Sequence, residues 1–575
     1  MTSKWNYLSP TFEQETIESA LTEQFPNCPA VSHLLVQRGI TTKESVDKFL
    51  YPSMNDLHDP FLMKDMDKAV NRLNIALGEK EKILVFGDYD VDGTTAVALV
   101  YKFLSYYGTL DYYIPTRYED GYGISHKCID YAESVGVKLI IVLDCGIKAV
   151  EEVEYARSKG IDVIICDHHV PDEVLPNAVA ILNPKLEDNP YPFKHLSGCG
   201  VGYKFMCAFM QSNGLTNRHE LDALLDLVAV SIAADIVPMT DENRIMTYYG
   251  LKRLNTNPNV GLKSIIKICG LANKEITISD VIFKIGPRIN ASGRMQSGME
   301  AVELLVTKSF QEAYEKGKNI DQYNRDRKEL DKRITEEASN ILADRGEIVS
   351  SKKPIVIYNK DWHKGIIGIV ASRLTELYCK PCVVLTLANG LATGSSRSVQ
   401  GFDIYKAIDS TRDLLDNFGG HTYAVGLSLK EENIPEFTRR FEEYVIENIN
   451  KEQLTPEIDI DYEINFSEIT SELLGYLKLF NPYGPWNQKP VFLTKNVYDY
   501  STSKLVGKNQ EHIKLELVDS KSDKVINGIA FNMSEHFDDI KSGKPFDICY
   551  TIEENKHKTN GAIQLQIKDI RFSED

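Results

Sequence analysis

The residues best suited to chemistry in this chain are three aspartates at alternate positions: Asp88, Asp90 and Asp92, in Gly87-Asp88-Tyr89-Asp90-Val91-Asp92-Gly93, directly after a short apolar run. Carboxylates this close raise one another's pKa, and they stay ionised together only when cations neutralise them. Two later apolar runs end in similar groups. The run 139–143 leads into Asp144-Cys145-Gly146, and 163–166 into Asp167-His168-His169. A single aspartate after a strand is usually a helix cap. Three coincident cases, one with two histidines attached, point instead to a metal site. Mixed carboxylate and imidazole donors suit Mn2+ or Mg2+, and imidazole favours Mn2+. Two such ions about 3.5–4 Å apart are the common device for displacement at phosphorus.

Competing readings of these motifs fail on particular residues. A calcium loop of the EF-hand type also begins with aspartates at positions 1, 3 and 5, but it needs a bidentate glutamate at position 12. Counted from Asp88, that position is Leu99. The chain contains no Gly-Lys-Ser or Gly-Lys-Thr to cradle a nucleotide phosphate. Gly198-Cys199-Gly200-Val201-Gly202-Tyr203 carries Tyr203 where a dinucleotide fingerprint needs glycine, so it reads as a tight loop-to-helix turn.

The elements that must position these groups are legible as alternation. Short apolar runs at 83–86, 139–143 and 163–166 alternate with helical patterns at 94–107 and 148–159, the signature of βαβ units and a parallel sheet. The carboxyl ends of such strands are where open α/β sheets place ligands. Residues 1–75 read as small helices, expected to be the N-terminal part of the catalytic core, with the metal-binding domain at 76–307. Residues 308–350 are charge-dense with helical period and predict a long connecting helix. A second α/β unit, expected to bind substrate, occupies 351–450, with a helix near 366–378, a strand at 382–386 and a helix near 404–415. From 455 to 575 short alternating strands (513–517, 525–531, 563–567) predict a small β-barrel or sandwich. The predicted fold class is therefore α/β, with two lobes joined by a helix and an all-β C-terminal domain.

Bulk properties set limits on partners. The 575 residues carry a formal charge of −18, which taken alone argues against a polyanionic partner. Bound cations would reverse the field locally, so the distribution of charge has to decide. The first residues hold no apolar run, Asp226 and Asp235 interrupt the apolar stretch 223–237, and no segment approaches a membrane span. Ten cysteines without framework spacing suit reduced thiols in a cytoplasm. The pair Cys379 and Cys382 lacks a second pair to complete a zinc site and reads as strand packing.

Holding a phosphodiester needs cations near its oxygens, and arginine offers a planar fork matched to phosphate. Candidates are Arg288 and Arg294, with Asn290 between them, and Arg397. Arg397 lies in a Gly-Ser-rich segment, 394–398, that predicts an anion-binding loop with Ser396 and Ser398. Tyr89, Tyr118 and Tyr122 could stack on unpaired bases, and Lys504, Lys508, Lys514 and Lys568 are candidate phosphate contacts of the β-domain.

Taken together, these motifs resemble the DHH phosphoesterase superfamily and, over about residues 30–572, its bacterial branch of single-stranded-DNA exonucleases. The matching pieces are GDYDVDGTTA (87–96), IPTRYEDGYGI (114–124), VLDCGI (142–147), DHH (167–169), LVAVSIAADIVPM (227–239) and GPRINASGRM (286–295). In the second lobe they are WHKGIIGIVASRL (362–374), GSSRSVQGFDI (394–404) and FGGHTYAVGL (418–427), followed by FNPYGPWNQKPVF (480–492). The resemblance implies DHH, DHHA1 and OB domains. It implies two divalent ions, Mn2+ or Mg2+, held by Asp90, Asp92, Asp144, His168 and Asp235, with Asp144 as the bridge. Asp88 would lie beside the first ion or orient a ligand. With Asp167 and Asp88, His169 completes the implied catalytic set, either facing the scissile phosphate and leaving oxygen or orienting His168. His363 and His421 are implied as substrate contacts.

The implied activity is 5′→3′ digestion of single-stranded DNA to 5′-mononucleotides in repair and recombination, by a cytoplasmic monomer. A single-strand-binding protein and repair helicases are the implied partners. Two other functions fit the motifs less well: a phosphodiesterase for short oligonucleotides or cyclic dinucleotides, and a replication scaffold without activity. Two residues depart from the family pattern, Lys148 and Trp486, and neither is a proposed ligand.

Overall fold

The computed structural model describes residues 3–8, 12–117, 120–344, 346, 352–555 and 563–572. Tyr118 lies outside the described residues. Five parallel strands form the first sheet, in spatial order Leu110–Tyr113, Lys82–Gly87, Val137–Leu143, Asp162–Cys166 and Ala180–Leu182. The three central strands are mostly apolar because helices cover both faces. Val91–Leu104, Gly198–Ser212 and Leu225–Asp235 pack on one side. His126–Ser134 and Val150–Ser158 pack on the other. The two edge strands escape sequence reading because they are only three and four residues long. Gly198-Cys199-Gly200 opens a helix, capped by Ser197, whose hydroxyl accepts from the Gly200 amide at 3.0 Å.

One helix, Phe310–Asp344, joins the lobes. Its 35 residues span about 52 Å at 1.5 Å per residue. Its first turns bury Ala313 and Ile320 in the core of the first lobe, while Ile334, Ala338 and Leu342 pack beneath the second. The second lobe is a five-stranded sheet ordered Leu415–His421, Ala424–Leu429, Leu391–Arg397, Cys382–Ala388, Ile355–Tyr358, and only the last pair is parallel. Residues 394–398, expected to be a loop, therefore lie mostly in a central antiparallel strand, because Gly394 and the serines alternate between its two faces. Cys379 ends the preceding helix at φ 52° and Cys382 opens a buried strand, as packing residues would.

At the C-terminus, strands Phe492–Asp499, Phe546–Glu554, Ile563–Phe572, Val525–Ala530 and His512–Asp519 close into a barrel, because the first also pairs with the last. The N-terminal residues depart from expectation. Leu21, Phe25, Val31, Leu34, Leu35 and Leu50 share a core with Phe466, Phe480, Phe492 and the barrel interior. Lys4–Tyr7 pairs in parallel with Glu457–Ile460. Only the segment from about residue 54 onwards joins the catalytic core. An amphipathic helix shows which face it buries but not which core it joins, so the pattern alone could not assign residues 1–50. Among the described residues no helix is long and apolar enough to cross a membrane.

Candidate metal centre and substrate cleft

Three neighbouring strand ends deliver most of the acidic groups. After Lys82–Gly87 the chain turns at once into Val91–Leu104, and Asp90 caps that helix by accepting from the Gly93 amide at 3.1 Å. Only glycine fits at 93, since a Cβ there would come within 2.4 Å of the Asp88 carbonyl oxygen. Asp92, in the first turn of that helix, is gripped by the amino end of Gly198–Ser212. Its Oδ1 accepts from the Cys199 amide (2.8 Å) and the Ser231 hydroxyl (2.7 Å), and its Oδ2 from the Gly198 amide (2.7 Å). These donors fix the orientation of the carboxylate, with Oδ2 turned to within 3.7 Å of His168 Nε2. Asp144 stands at φ 60°, a left-handed conformation that non-glycine residues seldom adopt and that marks sites held under strain.

The groups converge on His168. Its Nε2 lies 3.2 Å from Asp144 Oδ1, 3.5 Å from Asp235 Oδ2 and 3.7 Å from Asp92 Oδ2. Among the described residues two donor sets result, Asp144-His168-His169 and Asp92-His168-Asp235, each with its ligand atoms within 4.8 Å of one another. Asp88 Oδ1, Asp144 Oδ1 and both ring nitrogens of His168 are buried without a hydrogen-bond partner. Buried polar atoms are almost always bonded, so the orphaned Asp144 Oδ1 and His168 Nε2, 3.2 Å apart, fit an oxygen- and imidazole-seeking divalent ion.

The electrostatics agree with that fit. Burial, then the Asp90 charge, pushes the Asp88 carboxyl up to about 8. Burial, then Asp92 and Asp90, raises Asp235 to about 8, and Asp144 is held well above the usual range by burial and the same two neighbours. Burial brings the His168 imidazole down to about 4, the neutral form a cation requires.

His169 and Asp167 form a separate pair. Burial alone would raise the Asp167 carboxyl, but its 2.7 Å bond to His169 Nδ1 and the two ring charges hold it at about 2. Its remaining acceptor sites take the amides of His168 (2.7 Å), His169 (3.1 Å) and Ile147 (3.0 Å). Asp167 is thus committed to orienting its neighbours. Burial opposes protonation of His169, yet the Asp167 bond and the charges of Asp167, Asp235 and Asp92 together raise the imidazole above its ordinary value.

A cleft of about 900 Å³ lies between the lobes, lined by His169, Tyr122, Lys148 and Gly146 on one side and by Asn417, Gly420 and His421 on the other. His421 faces the site from the second lobe, close enough for His169, Lys148 and Lys185 to act with burial in lowering its pKa. Beside the carboxylates stands a cluster of cations. Burial, then Arg117, Arg327 and Arg397, depresses Arg294 to about 10, and Asp90 opposes the shift. The Arg117 guanidinium lies 4.0 Å from the centre of the Tyr89 ring.

Most of the other expected substrate residues have partners within the protein. Arg288 is paired with Asp321 of the long helix at 2.9 Å and donates to the Lys284 carbonyl. Asn290 is half-buried on Gly286–Met295. The Ser396 hydroxyl bridges to the backbone of Val425, donating at 3.0 Å and accepting at 3.1 Å, so it locks two strands together. Ser398 donates to the Phe402 carbonyl, and His363 Nδ1 accepts from the Gly365 amide at 3.2 Å. The expected anion-binding loop is replaced by these sheet contacts, and only Arg397 of that segment joins the cation cluster.

Sequence reading overlooked Arg117 and Lys185 as candidates. Arg117 stood in a quoted motif at the same sheet edge, whereas Lys185 follows a strand too short to detect.

Three family descriptions match in order: the DHH family N-terminal domain over residues 82–232, the DHHA1 domain over 351–447 and the RecJ OB domain over 460–569. A DHH-type protein with an appended OB domain is the class that this fold and donor set define. The single-stranded-DNA-specific exonuclease RecJ of Bacillus subtilis is 36% identical over 99% of this chain and 71% of its own length. Its Escherichia coli counterpart is 32% identical, with 94% of this chain and 96% of its own covered. The crystal structure of RecJ from Thermus thermophilus in complex with Mn2+ superposes with a TM-score of 0.84 at 25% identity, covering 100% of this chain and 80% of that one. The chain belongs to the RecJ family.

Proposed function

We propose that this protein digests single-stranded DNA from the 5′ end, releasing 5′-mononucleotides. Relatives named as single-stranded-DNA-specific exonucleases, one of them crystallised with Mn2+, support the reading. The observation that carries it is the convergence of orphaned carboxylate and imidazole atoms beside a cluster of arginines, at the edge of the cleft between the lobes. Asp90, Asp92, Asp144, His168 and Asp235 would hold two divalent ions, with Asp88 adjoining them. Such ions, when bound, polarise the phosphodiester and acidify water.

The chain's own groups do the rest. Asp167 orients His169 and keeps a proton available on its ring for a phosphate oxygen or the departing 3′-oxygen. Arg117, Arg294 and Arg397 neutralise strand phosphates, and His421 closes the cleft from the second lobe. The barrel beyond 455, with residues 1–50 packed on it, holds the strand. A monomeric state, a cytoplasmic location, and a single-strand-binding protein and repair helicases as partners belong to the same reading.

Long single strands labelled at either end provide the test. With Mn2+, the 5′ label should leave at once as a mononucleotide while 3′-labelled strands shorten in a ladder, and EDTA should stop both. A long strand left intact while dinucleotides or cyclic dinucleotides are cut would instead make this a small-substrate phosphodiesterase.

A further inference from the structure

Trp486 is the departure from the family pattern that the catalytic site does not absorb. It sits at the tip of a two-residue turn between Gly484 and Asn487, whose backbones exchange hydrogen bonds at 3.0 Å. Its φ is 63°, a left-handed conformation that disfavours a bulky residue, and its side chain is 60% exposed. The turn is held from both sides. Asn487 is buried, donates to the carbonyls of Phe480 and Pro482, and accepts from Arg38. The Met239 amide donates to the Pro485 carbonyl at 2.8 Å.

A rigid turn thus presents an indole that the fold does not bury. The indole meets His195 edge to face at 4.6 Å. Met239 closes the segment that begins at Asp235 of the metal centre, a step of four residues that spans at most roughly 14 Å. Ile236, next to Asp235, is likewise exposed and left-handed (φ 57°). Lys185 lies within electrostatic reach of both Asp235 and His195. Apolar surface and a cation therefore line the way from the metal centre towards the barrel.

We infer that Trp486, seated against His195, is a stacking platform for one unpaired base of the substrate strand between the scissile phosphate and the barrel. The inference rests on the nuclease reading above. Aromatic faces stack on any base, and a base held in a duplex is not available to them, so the platform favours single strands without reading sequence.

Fluorescence tests this directly. The other two tryptophans, Trp5 and Trp362, are only 6% and 5% exposed, so binding-induced changes in emission report Trp486. A nuclease-resistant phosphorothioate oligothymidylate of twelve nucleotides, in Mg2+, should quench the wild-type emission. Moving a single abasic nucleotide along it should reveal one position where affinity falls about tenfold, the loss expected for one stacked base. Trp486→Gly, which suits the left-handed turn, should bind the intact strand about tenfold more weakly and be indifferent to the abasic nucleotide at that position. Trp486→Tyr should restore both behaviours. Unchanged emission, wild-type affinity in Trp486→Gly, or an abasic penalty that persists in that variant would each overturn the platform even in an enzyme that digests DNA. A wild-type protein that digests no strand would overturn the nuclease reading and the platform with it.

Discussion

The carboxylate edge and the guanidinium cluster beside it are built in opposite ways. Asp88, Asp90, Asp92, Asp144, Asp167 and His168 come from the ends of three neighbouring strands of one sheet, and each is placed by the strand that precedes it. Arg117, Arg294, Arg327 and Arg397 come from a loop, a helix, the connecting helix and the second lobe, and Arg397 joins the others only because the lobes are docked. The first assembly concentrates buried carboxylates, and the second concentrates guanidinium groups beside them. Metal ions would complete one and a phosphate the other. Chemistry should therefore fail when the first is damaged, and substrate capture when the second is.

Asp144→Ala should have the largest effect. Loss of a shared ligand removes several kcal/mol of transition-state stabilisation, about 10³-fold or more in kcat, while single-strand affinity measured by fluorescence anisotropy stays near wild type. Arg397→Lys keeps the charge but loses the fork. A charged hydrogen bond is worth up to about 3 kcal/mol, so kcat/KM should fall by about tenfold to hundredfold, chiefly through KM. A fall confined to kcat would erase the distinction between the two assemblies. Asp167→Asn should reduce kcat by about tenfold, the scale seen when a ligand's orienting partner is lost, and should lower the His169 pKa in an NMR titration, since the carboxylate is what raises it. Ser396→Ala should be smallest. It costs about 1 kcal/mol of stability in thermal melts and leaves the rate unchanged, because that hydroxyl serves the sheet.

The same contrast explains what the sequence could and could not reveal. Asp88 to Asp92, Asp144 and the Asp-His-His run were legible because an apolar strand followed by an ionisable group is a local pattern, and the strands observed match the expected runs within a few residues. Asp235 ends a helix and became a candidate only through family resemblance. Its approach to His168 depends on the packing of Leu225–Asp235 against Val91–Leu104. Ser396 was misplaced because glycine and serine suit a loop as well as a strand packed against a hairpin, and the hairpin partner lies some thirty residues on. Residues 1–50 were assigned to the wrong neighbour for a similar reason. Their true partners lie more than four hundred residues away, and Arg244 of the catalytic lobe ties both together through the carbonyls of Phe49, Leu479, Phe480 and Pro482. Deleting 455–575 would therefore strip the cover from Leu21, Leu34 and Leu50 as well as removing a strand-binding surface.

The decisive measurement is anomalous scattering from crystals soaked in Mn2+. Two peaks are expected, bounded by Asp90, Asp92, Asp144, His168 and Asp235, and Asp144→Ala should lose at least one of them. Manganese bound elsewhere, or no peak among these side chains at saturating metal, would contradict the proposal that they form a two-ion centre.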